Sequence, residues 1–172
     1  MRILFVCTGN ICRSPMAERL AAAYCTQSQS QGLTTSSAGT RAVIASPIHP
    51  EAVRVLERLG GDASDFAARQ LTPQIASDAD LVITMTKAHR DAVLGLAPRQ
   101  LRRTFTLSEA ALLVSKWNAQ SVADLASLRP HLASTEVADI PDPIGQGPEF
   151  FTRVGAQIAD LLPPVLELCK PS

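Results

Sequence analysis

The amino-acid sequence predicts an α/β fold in which a four-stranded parallel sheet is flanked by helices on both faces. Four short aliphatic runs alternate with segments of helical periodicity along the 172-residue chain. The runs are continuously apolar rather than alternating, which is typical of parallel strands buried on both faces. Neither a linker nor an internal repeat interrupts this pattern, so residues 1–172 are expected to form a single domain.

Each strand is predicted from one of the apolar runs. The clearest are Ile3–Val6 and Asp80–Met85, and the other two are Leu33–Ala38 and Arg103–Leu107. In such sheets the ligand lies at the carboxyl ends of the strands. Cys7 directly follows the first strand, so the functional site is expected around it.

The helices are predicted from apolar residues that recur every three or four positions. The predicted segments are residues 16–26, Pro50–Leu59, Pro73–Ser77, Lys87–Leu96, Ser108–Val114, Val122–Leu128 and Phe150–Leu168. We expect a solvated join at Lys116–Gln120, and we expect Pro163 and Pro164 to kink or interrupt the last helix.

Composition indicates an ordinary globular protein, with 46% apolar and 19% charged residues. Sixteen basic residues balance sixteen acidic ones, so neither nucleic acid nor a membrane surface is an expected partner. The sequence shows no recognisable signal peptide or membrane-spanning run, and four cysteines do not make a disulfide framework. We therefore expect a cytoplasmic protein, monomeric or weakly dimeric, without a cofactor.

The loop Cys7–Arg13 has the composition of an anion-binding site. It leads into a helix N-terminus, whose free N–H groups and dipole create a positive potential. Gly9 is expected to let the backbone turn, and Asn10 tolerates a left-handed conformation. Ser14 is expected to cap the helix, with Glu18 in its first turn.

The two ends of this loop carry a thiol and a guanidinium. Arg13 can hold two oxygens of a tetrahedral anion. The local field favours the thiolate form of Cys7, which is a nucleophile for phosphoryl transfer. The leaving oxygen then needs a proton, and Asp142, held between two prolines, is the best donor in the sequence. Asp139 is the second candidate.

The segment Val6–Pro15, VCTGNICRSP, resembles the phosphate-binding loop of the low-molecular-weight protein tyrosine phosphatases almost residue for residue. Ser37–Thr40, residues 66–72 and Asp142–Pro143 resemble further segments of that family. The resemblance implies a three-layer, flavodoxin-like fold with strand order 2-1-3-4. It also implies hydrolysis of protein phosphotyrosine, an aryl phosphate monoester, through a cysteinyl-phosphate intermediate.

The resemblance gives roles to individual residues. It implies Cys7 as nucleophile, Arg13 as phosphate ligand, and Asp142 as general acid and then general base. The loop residues expected to bind the phosphate are Thr8, Gly9, Asn10, Ile11, Cys12 and Ser14. Ser37 is expected to support the loop by hydrogen bonding, and Cys12 is expected to protect Cys7 through a reversible disulfide.

Substrate preference depends chiefly on Ile11. Related arginine phosphatases carry threonine there, so isoleucine favours phosphotyrosine in a protein, such as a tyrosine kinase or its targets. The stretches Arg41–Ile44 and Ile144–Gly147 lack the aromatic residues common in tyrosine-directed members, and Phe66 replaces a histidine of some members. These differences resemble the bacterial branch that includes protein-arginine phosphatases, which is the alternative.

Two other functions are less favoured. Arsenate reduction requires further cysteines downstream of the loop, and none lies between Cys25 and Cys169, which we expect to be structural. A non-catalytic phosphoprotein-binding module predicts an altered nucleophile or acid, and neither is altered. The three histidines, His49, His89 and His131, are expected at the surface rather than in a metal site.

Overall fold

A parallel sheet of four strands forms the centre of the computed structural model, which describes residues 1–29 and 32–170. The strands are β1 (Arg2–Cys7), β2 (Thr34–Gly39), β3 (Leu81–Thr84) and β4 (Thr104–Thr106). Their order is β2-β1-β3-β4 and every neighbouring pair is parallel, which confirms the predicted fold class.

Helices cover both faces of this sheet. They are α1 (Arg13–Gln27), α2 (Pro50–Arg58), α3 (Pro73–Ser77), α4 (Lys87–Leu96), α5 (Leu107–Trp117), α6 (Val122–Leu128) and α7 (Pro148–Leu168). Short 3-10 turns occupy Pro98–Arg103, Arg129–His131 and Ser134–Glu136. The bounds of α3, α4 and α6 are the predicted ones. These bounds were predictable because a Thr or Ser caps the start of each helix, and α3 also begins with a proline.

Side chains of β1 divide between two hydrophobic cores. Ile3 and Phe5 pack into the larger core with α1, α2, α5, α6 and α7. Leu4 and Val6 face the smaller core, which α3 and α4 cover. Because successive side chains of a strand point to opposite faces, β1 is buried on both sides, as its continuous apolar run predicted.

Two expectations about the later helices need correction, the bounds of the solvated join and an interruption of the last helix. The predicted solvated join begins too early, because α5 continues to Trp117 and ends where Asn118 adopts a left-handed conformation, with φ 56°. Ala119, which follows, is buried rather than solvated. α7 runs without interruption through Pro163 and Pro164, where buried residues on either side hold the helix against the core.

The carboxyl edge of the sheet gathers the segments that form the site. Cys7 ends β1 and Gly39 ends β2, so the two residues are paired at this edge. The N–H of Met85, after β3, donates to the carbonyl of Val6 at 3.0 Å, and the N–H of Ile140 donates to the carbonyl of Met85 at 2.9 Å. The segment containing Asp142 is therefore hydrogen bonded to the same edge. None of the helices within residues 1–29 and 32–170 is long and apolar enough to span a membrane.

Candidate active site

The backbone of the loop between β1 and α1 is held from one side. Four of its carbonyl oxygens accept hydrogen bonds of 2.8 to 2.9 Å from main-chain N–H groups of residues 40–49. The acceptors are Cys7, Thr8, Gly9 and Ile11, and the donors are Thr40, Arg41, Val43 and His49. Since the N–H and C=O of one peptide unit point in opposite directions, the N–H groups that follow these carbonyls point away from residues 40–49. An anion-binding nest requires this orientation.

Asn10 adopts the left-handed conformation in the loop, with φ 56°, whereas Gly9 lies outside that region. The left-handed turn of the loop is therefore at Asn10, and the expectation that Gly9 lets the backbone turn is wrong. The buried amide of Asn10 donates from Nδ2 to the hydroxyls of Ser14 at 2.9 Å and Ser37 at 2.8 Å, and its Oδ1 accepts from the N–H of Arg69 at 2.9 Å. These three bonds offset the cost of a left-handed non-glycine residue.

A chain of hydrogen bonds ends on the sulfur of Cys7. Ser37 donates its proton to Oε2 of Glu18 at 2.5 Å, so its oxygen is available to accept from Asn10. The Ser14 oxygen also accepts from Asn10 and lies 2.9 Å from Cys7 Sγ, so the Ser14 proton is free to donate to the sulfur whenever Cys7 is a thiolate. Such a donor stabilises a thiolate.

This use of Ser14 corrects two expectations about the start of α1. The helix begins at Arg13, and its N-cap, Cys12, makes no side-chain capping bond. Ser14 therefore lies inside the first turn and does not cap the helix, because its hydroxyl is bonded to the side chains of Asn10 and Cys7. Glu18 consequently lies in the second turn, where burial raises the pKa of its carboxyl group.

Gly39 is a site residue to which sequence reasoning gave no role. A Cβ at this position would lie 2.5 Å from the carbonyl oxygen of Thr8 and 3.0 Å from Cα of Ala42. Only glycine therefore allows the end of β2 to approach the loop so closely. The signal available in the sequence was the position of Gly39, directly after the Ser37-Ala38 pair that matches the family.

The guanidinium of Arg13 joins the loop to the segment that carries Asp142. Arg13 is only 4% exposed, and its Nη1 donates to the carbonyl of Ile140 at 2.9 Å. Its Nη2 lies 3.5 Å from Oδ2 of Asp142, whose side chain is 52% exposed. The other carboxylate oxygen of Asp142 accepts from the N–H of Ile144 at 3.1 Å. The structure thus brings Cys7, Arg13 and Asp142 to one place.

Asp139 has a different set of contacts. Its Oδ1 accepts from the N–H of Lys87, the first residue of α4, at 2.9 Å. A carboxylate at a helix N-terminus is stabilised by the helix dipole. Asp139 therefore holds the start of α4, whereas Asp142 lies beside Arg13.

The four cysteines, all within the described residues, are free thiols. Burial, reinforced by the charge of Cys7 and then by that of Asp142, raises the pKa of Cys12 to about 12, against the lowering effect of Arg13. Burial also raises the pKa of Cys169 to about 12. Both thiols therefore keep their protons at neutral pH, which leaves Cys7 as the candidate nucleophile of the loop.

The histidines differ from the expectation of three surface residues. His89 is only 6% exposed, and its Nε2 lies 2.8 Å from Oγ1 of Thr8. His49 is partly buried and stacks on Phe151 at a centroid distance of 5.0 Å, and only His131 is exposed. His89 is buried because it is the third residue of α4, whose N-terminus packs beside the loop, a contact that helical periodicity alone does not reveal.

Aliphatic side chains flank the loop at Gly9. A Cβ built on Gly9 would lie 3.5 Å from Cγ1 of Ile11 and 3.6 Å from Cγ2 of Val43, which are ordinary contact distances. Val43 is 49% exposed, and Ile144, two residues after Asp142, is 44% exposed. We call Ile11 and Val43 the aliphatic rim. In the parts of the chain that are described, no group of three or more His, Cys, Asp or Glu side chains could hold a metal ion.

The parallel sheet and the anion-binding loop after its first strand define an α/β enzyme with its site at the carboxyl edge. Residues 2–170 match the family model described as low molecular weight phosphotyrosine protein phosphatase. The chain belongs to this family of phosphatases, as its sequence resemblance predicted.

Individual relatives agree with this assignment. The chain is 36% identical over 153 residues to the low molecular weight protein-tyrosine-phosphatase Wzb of Salmonella typhimurium, covering 89% of this chain and 83% of that protein. A solved low molecular weight protein tyrosine phosphatase from T. tengcongensis has 30% identity and a TM-score of 0.76, over 97% and 98% of the two chains. The YwlE arginine phosphatase of Geobacillus stearothermophilus has 31% identity and a TM-score of 0.74, over 96% and 90%.

The contacts of Asn10 predict that its replacement by aspartate is severely destabilising. The variant Asn10→Asp keeps an acceptor for the N–H of Arg69 but loses both N–H donors, and it buries a carboxylate near Glu18. We expect a loss of about 3 kcal/mol or more in the free energy of unfolding, measured by urea denaturation.

Asn118→Asp is the matched control, because Asn118 has the same φ of 56° but is exposed. Its free energy of unfolding should change by at most about 0.5 kcal/mol. Equal losses in the two variants would contradict the role given to the buried amide.

Proposed function

We propose that the chain hydrolyses phosphotyrosine in proteins through a cysteinyl-phosphate intermediate. The observation that carries the proposal is the hydrogen-bond chain from Glu18 to Cys7, which ends beside an anion-binding loop. The same loop carries Arg13, which contacts Asp142. A nucleophile, a phosphate ligand and a proton donor are thus available together.

In the first step, the thiolate of Cys7 attacks phosphorus. The S–P bond forms as the P–O bond to the tyrosine oxygen breaks, and Asp142 gives its proton to that oxygen. The loop N–H groups and Arg13 hold the three remaining phosphoryl oxygens, on which charge develops. The main-chain amides of Thr8–Ser14 supply these donors in the proposal.

The contact between Arg13 and Asp142 suggests how the acid is prepared. A bound phosphoryl dianion competes with Asp142 for the guanidinium and takes over its Nη2. Asp142 then faces negative charge instead of a cation, an environment that favours the protonated carboxyl group. Arg13 keeps its bond to the carbonyl of Ile140 and so holds Asp142 near the leaving oxygen.

In the second step, water hydrolyses the cysteinyl phosphate. Asp142, now a carboxylate, removes a proton from the water as its oxygen attacks phosphorus. The S–P bond breaks, inorganic phosphate leaves and the thiolate of Cys7 is restored. The Ser14 hydroxyl, 2.9 Å from Cys7 Sγ, stabilises this leaving thiolate.

The aliphatic rim favours an aryl phosphate as substrate. Ile11 and Val43 both lie within contact distance of a Cβ built on Gly9, and Val43 is half exposed. Their methyl groups can pack against a phenyl ring, whereas neither offers a hydroxyl group to a P–N bond. Phosphorylated proteins are therefore the proposed partners.

Protein-arginine phosphatase is the second candidate, because the solved structures similar to this chain include arginine phosphatases. The Geobacillus protein similar to this chain is named an arginine phosphatase, and its identity of 31% matches that of the tyrosine phosphatase from T. tengcongensis, at 30%. Overall similarity therefore does not separate the two activities, and Ile11 is the residue on which the choice depends.

Substitution of Asp142 tests the proposed chemistry. Asp142→Asn should lower kcat by roughly 10² to 10⁴, and the loss should be larger for phenyl phosphate than for p-nitrophenyl phosphate, whose leaving group needs less protonation. Cys7→Ser should show no turnover. Steady-state phosphate release measures both effects.

The control for this experiment is Asp139→Asn, because an asparagine oxygen can still accept from the N–H of Lys87. Its kcat should stay close to that of the unmodified protein. If the leaving-group dependence changed with Asp139 and not with Asp142, the assignment of the acid would be wrong.

A panel of phosphopeptides tests the substrate. We expect kcat/KM to be highest for phosphotyrosyl peptides, low for phosphoarginyl and lowest for phosphoseryl peptides. Ile11→Thr should lower the phosphotyrosyl value about tenfold, because it removes a buried methyl contact, and raise the phosphoarginyl value.

Ile75→Thr, the same change at a partly buried residue of α3, should leave both values unchanged. A phosphoarginyl preference in the unmodified protein would establish the second candidate instead.

We propose, third, that Cys12 protects the nucleophile from irreversible oxidation. Hydrogen peroxide converts the Cys7 thiolate to a sulfenic acid with release of hydroxide, and the Cys12 sulfur then displaces water to form a disulfide. The two thiols are near neighbours in the loop, since Cys7 is among the groups that raise the pKa of Cys12.

Mass spectrometry of peroxide-treated protein should therefore show a Cys7–Cys12 disulfide, and dithiothreitol should restore activity. Cys12→Ser should lose this recovery, whereas Cys25→Ser should keep it. Irreversible inactivation of the unmodified protein at the same rate as Cys12→Ser would contradict the protective role.

A further inference from the structure

His89 joins α4 to the phosphate loop through Thr8, the residue that follows the nucleophile. Its Nε2 lies 2.8 Å from Oγ1 of Thr8. The main-chain N–H of His89 donates to Oγ1 of Thr86 at 3.1 Å, and Asp139 binds the N–H of Lys87. The imidazole is thus carried by a helix start that is itself fixed in two places.

The second ring nitrogen of His89 indicates which nitrogen carries the proton. Nδ1 is buried, and it has no hydrogen-bond partner among the described residues. A proton on Nδ1 would create a buried N–H donor without an acceptor, which is among the rarest arrangements in folded proteins. The proton is therefore assigned to Nε2, and Nε2–H donates to the Thr8 oxygen.

Burial is the main reason that the ring of His89 is neutral. Burial, followed by the nearby Arg13 guanidinium, lowers the pKa of His89 to about 4, although Asp139 and Asp142 act in the opposite direction. Near neutral pH the imidazole therefore carries one proton and no charge. It adds no cation that would compete with Arg13 for Asp142 or for a bound anion.

The direction of this bond determines what the Thr8 hydroxyl can do. Its oxygen accepts from His89, so its own proton cannot point toward α4 and must donate elsewhere. Thr8 is only partly buried, as are Gly9 and Ile11 of the same loop. Its main chain forms part of the nest described above.

We propose that His89 is a positioning residue that fixes Thr8 as a hydrogen-bond donor toward the phosphoryl group. The inference rests on the proposed function, because it adds one neutral side-chain donor to the loop amides and Arg13. Neither the sequence pattern nor the nucleophile–arginine–acid set identifies His89 for this role.

The tautomer can be measured directly and without any enzymatic activity. In ¹⁵N-detected NMR of the unmodified protein at neutral pH, His89 should be neutral with its proton on Nε2. A neutral ring protonated on Nδ1 would overturn the proposal, because Thr8 would then donate to His89. The assignment of the His89 signals can be made by comparison with His89→Gln.

Binding of inorganic phosphate tests the consequence for the loop. Glutamine can place an N–H near the position of Nε2, whereas the shorter asparagine cannot. His89→Gln should therefore keep the phosphate inhibition constant within about twofold, and His89→Asn and Thr8→Val should each weaken it about tenfold. The double variant that combines His89→Asn with Thr8→Val should bind phosphate no more weakly than Thr8→Val alone. Both substitutions remove the same interaction.

Controls separate this effect from instability and from the reaction itself. His131→Asn makes the same change at an exposed histidine and should not alter phosphate binding. Thermal unfolding of each variant verifies that the protein is folded, and Thr8→Ser should keep the hydroxyl and the affinity. Unchanged phosphate binding in folded His89→Asn, or additive losses in the double variant, would refute the positioning role. Failure of the unmodified protein to bind phosphate would instead refute the proposed function and leave the tautomer result standing.

Discussion

The buried amide of Asn10 is the interaction on which the rest of the site depends. It holds a left-handed turn and simultaneously binds α1 through Ser14, β2 through Ser37 and the chain at Arg69. Ser37 and Arg69 are 27 and 59 residues away in the sequence, so the network is complete only when β2 and the segment at Arg69 lie beside the loop. The amide also holds the Ser14 hydroxyl beside the Cys7 sulfur, because Nδ2 donates to the Ser14 oxygen. Geometry for anion binding and stabilisation of the Cys7 sulfur therefore have one physical origin.

Arg13 extends this constraint from the loop to the proposed acid. A guanidinium that is 4% exposed requires hydrogen-bond acceptors, and the carbonyl of Ile140 supplies one. Because Ile140 is also bonded to Met85, the acid segment is anchored to β3 as well as to the loop. Asp142 lies two residues after Ile140 and is exposed, so its carboxylate remains free to exchange partners when an anion binds. The same side chain thus contributes to folding and to chemistry.

Local sequence signals predicted the elements of the fold well because apolar runs and helix start signals are local. The bounds of α3 and α4 were predictable from Pro73 and Thr86. The end of α5 depends on the left-handed cap at Asn118, which could not be distinguished in the sequence from the polar residues around it. Cys7 and Arg13 were likewise predictable, because the motif that contains them is a local feature of the sequence. Tertiary contacts explain the errors and omissions. Ser14 has the local signature of a cap, but Asn10 and Cys7 bind its hydroxyl. The importance of Gly39 and the burial of His89 arise only when separate segments meet.

The packing of the loop also explains why phosphate recognition and substrate preference can be separate properties. Residues 40–49 hold the loop carbonyls on one side, and the side chains of Asn10 and Ser14 are buried. The loop positions that stay partly exposed are Thr8, Gly9 and Ile11. Gly9 has no side chain, and Thr8 is bonded to His89, so Ile11 alone can change without disturbing the network. In the proposed function, this single position therefore distinguishes an aryl ester from a phosphoguanidinium while the anion-binding backbone stays the same.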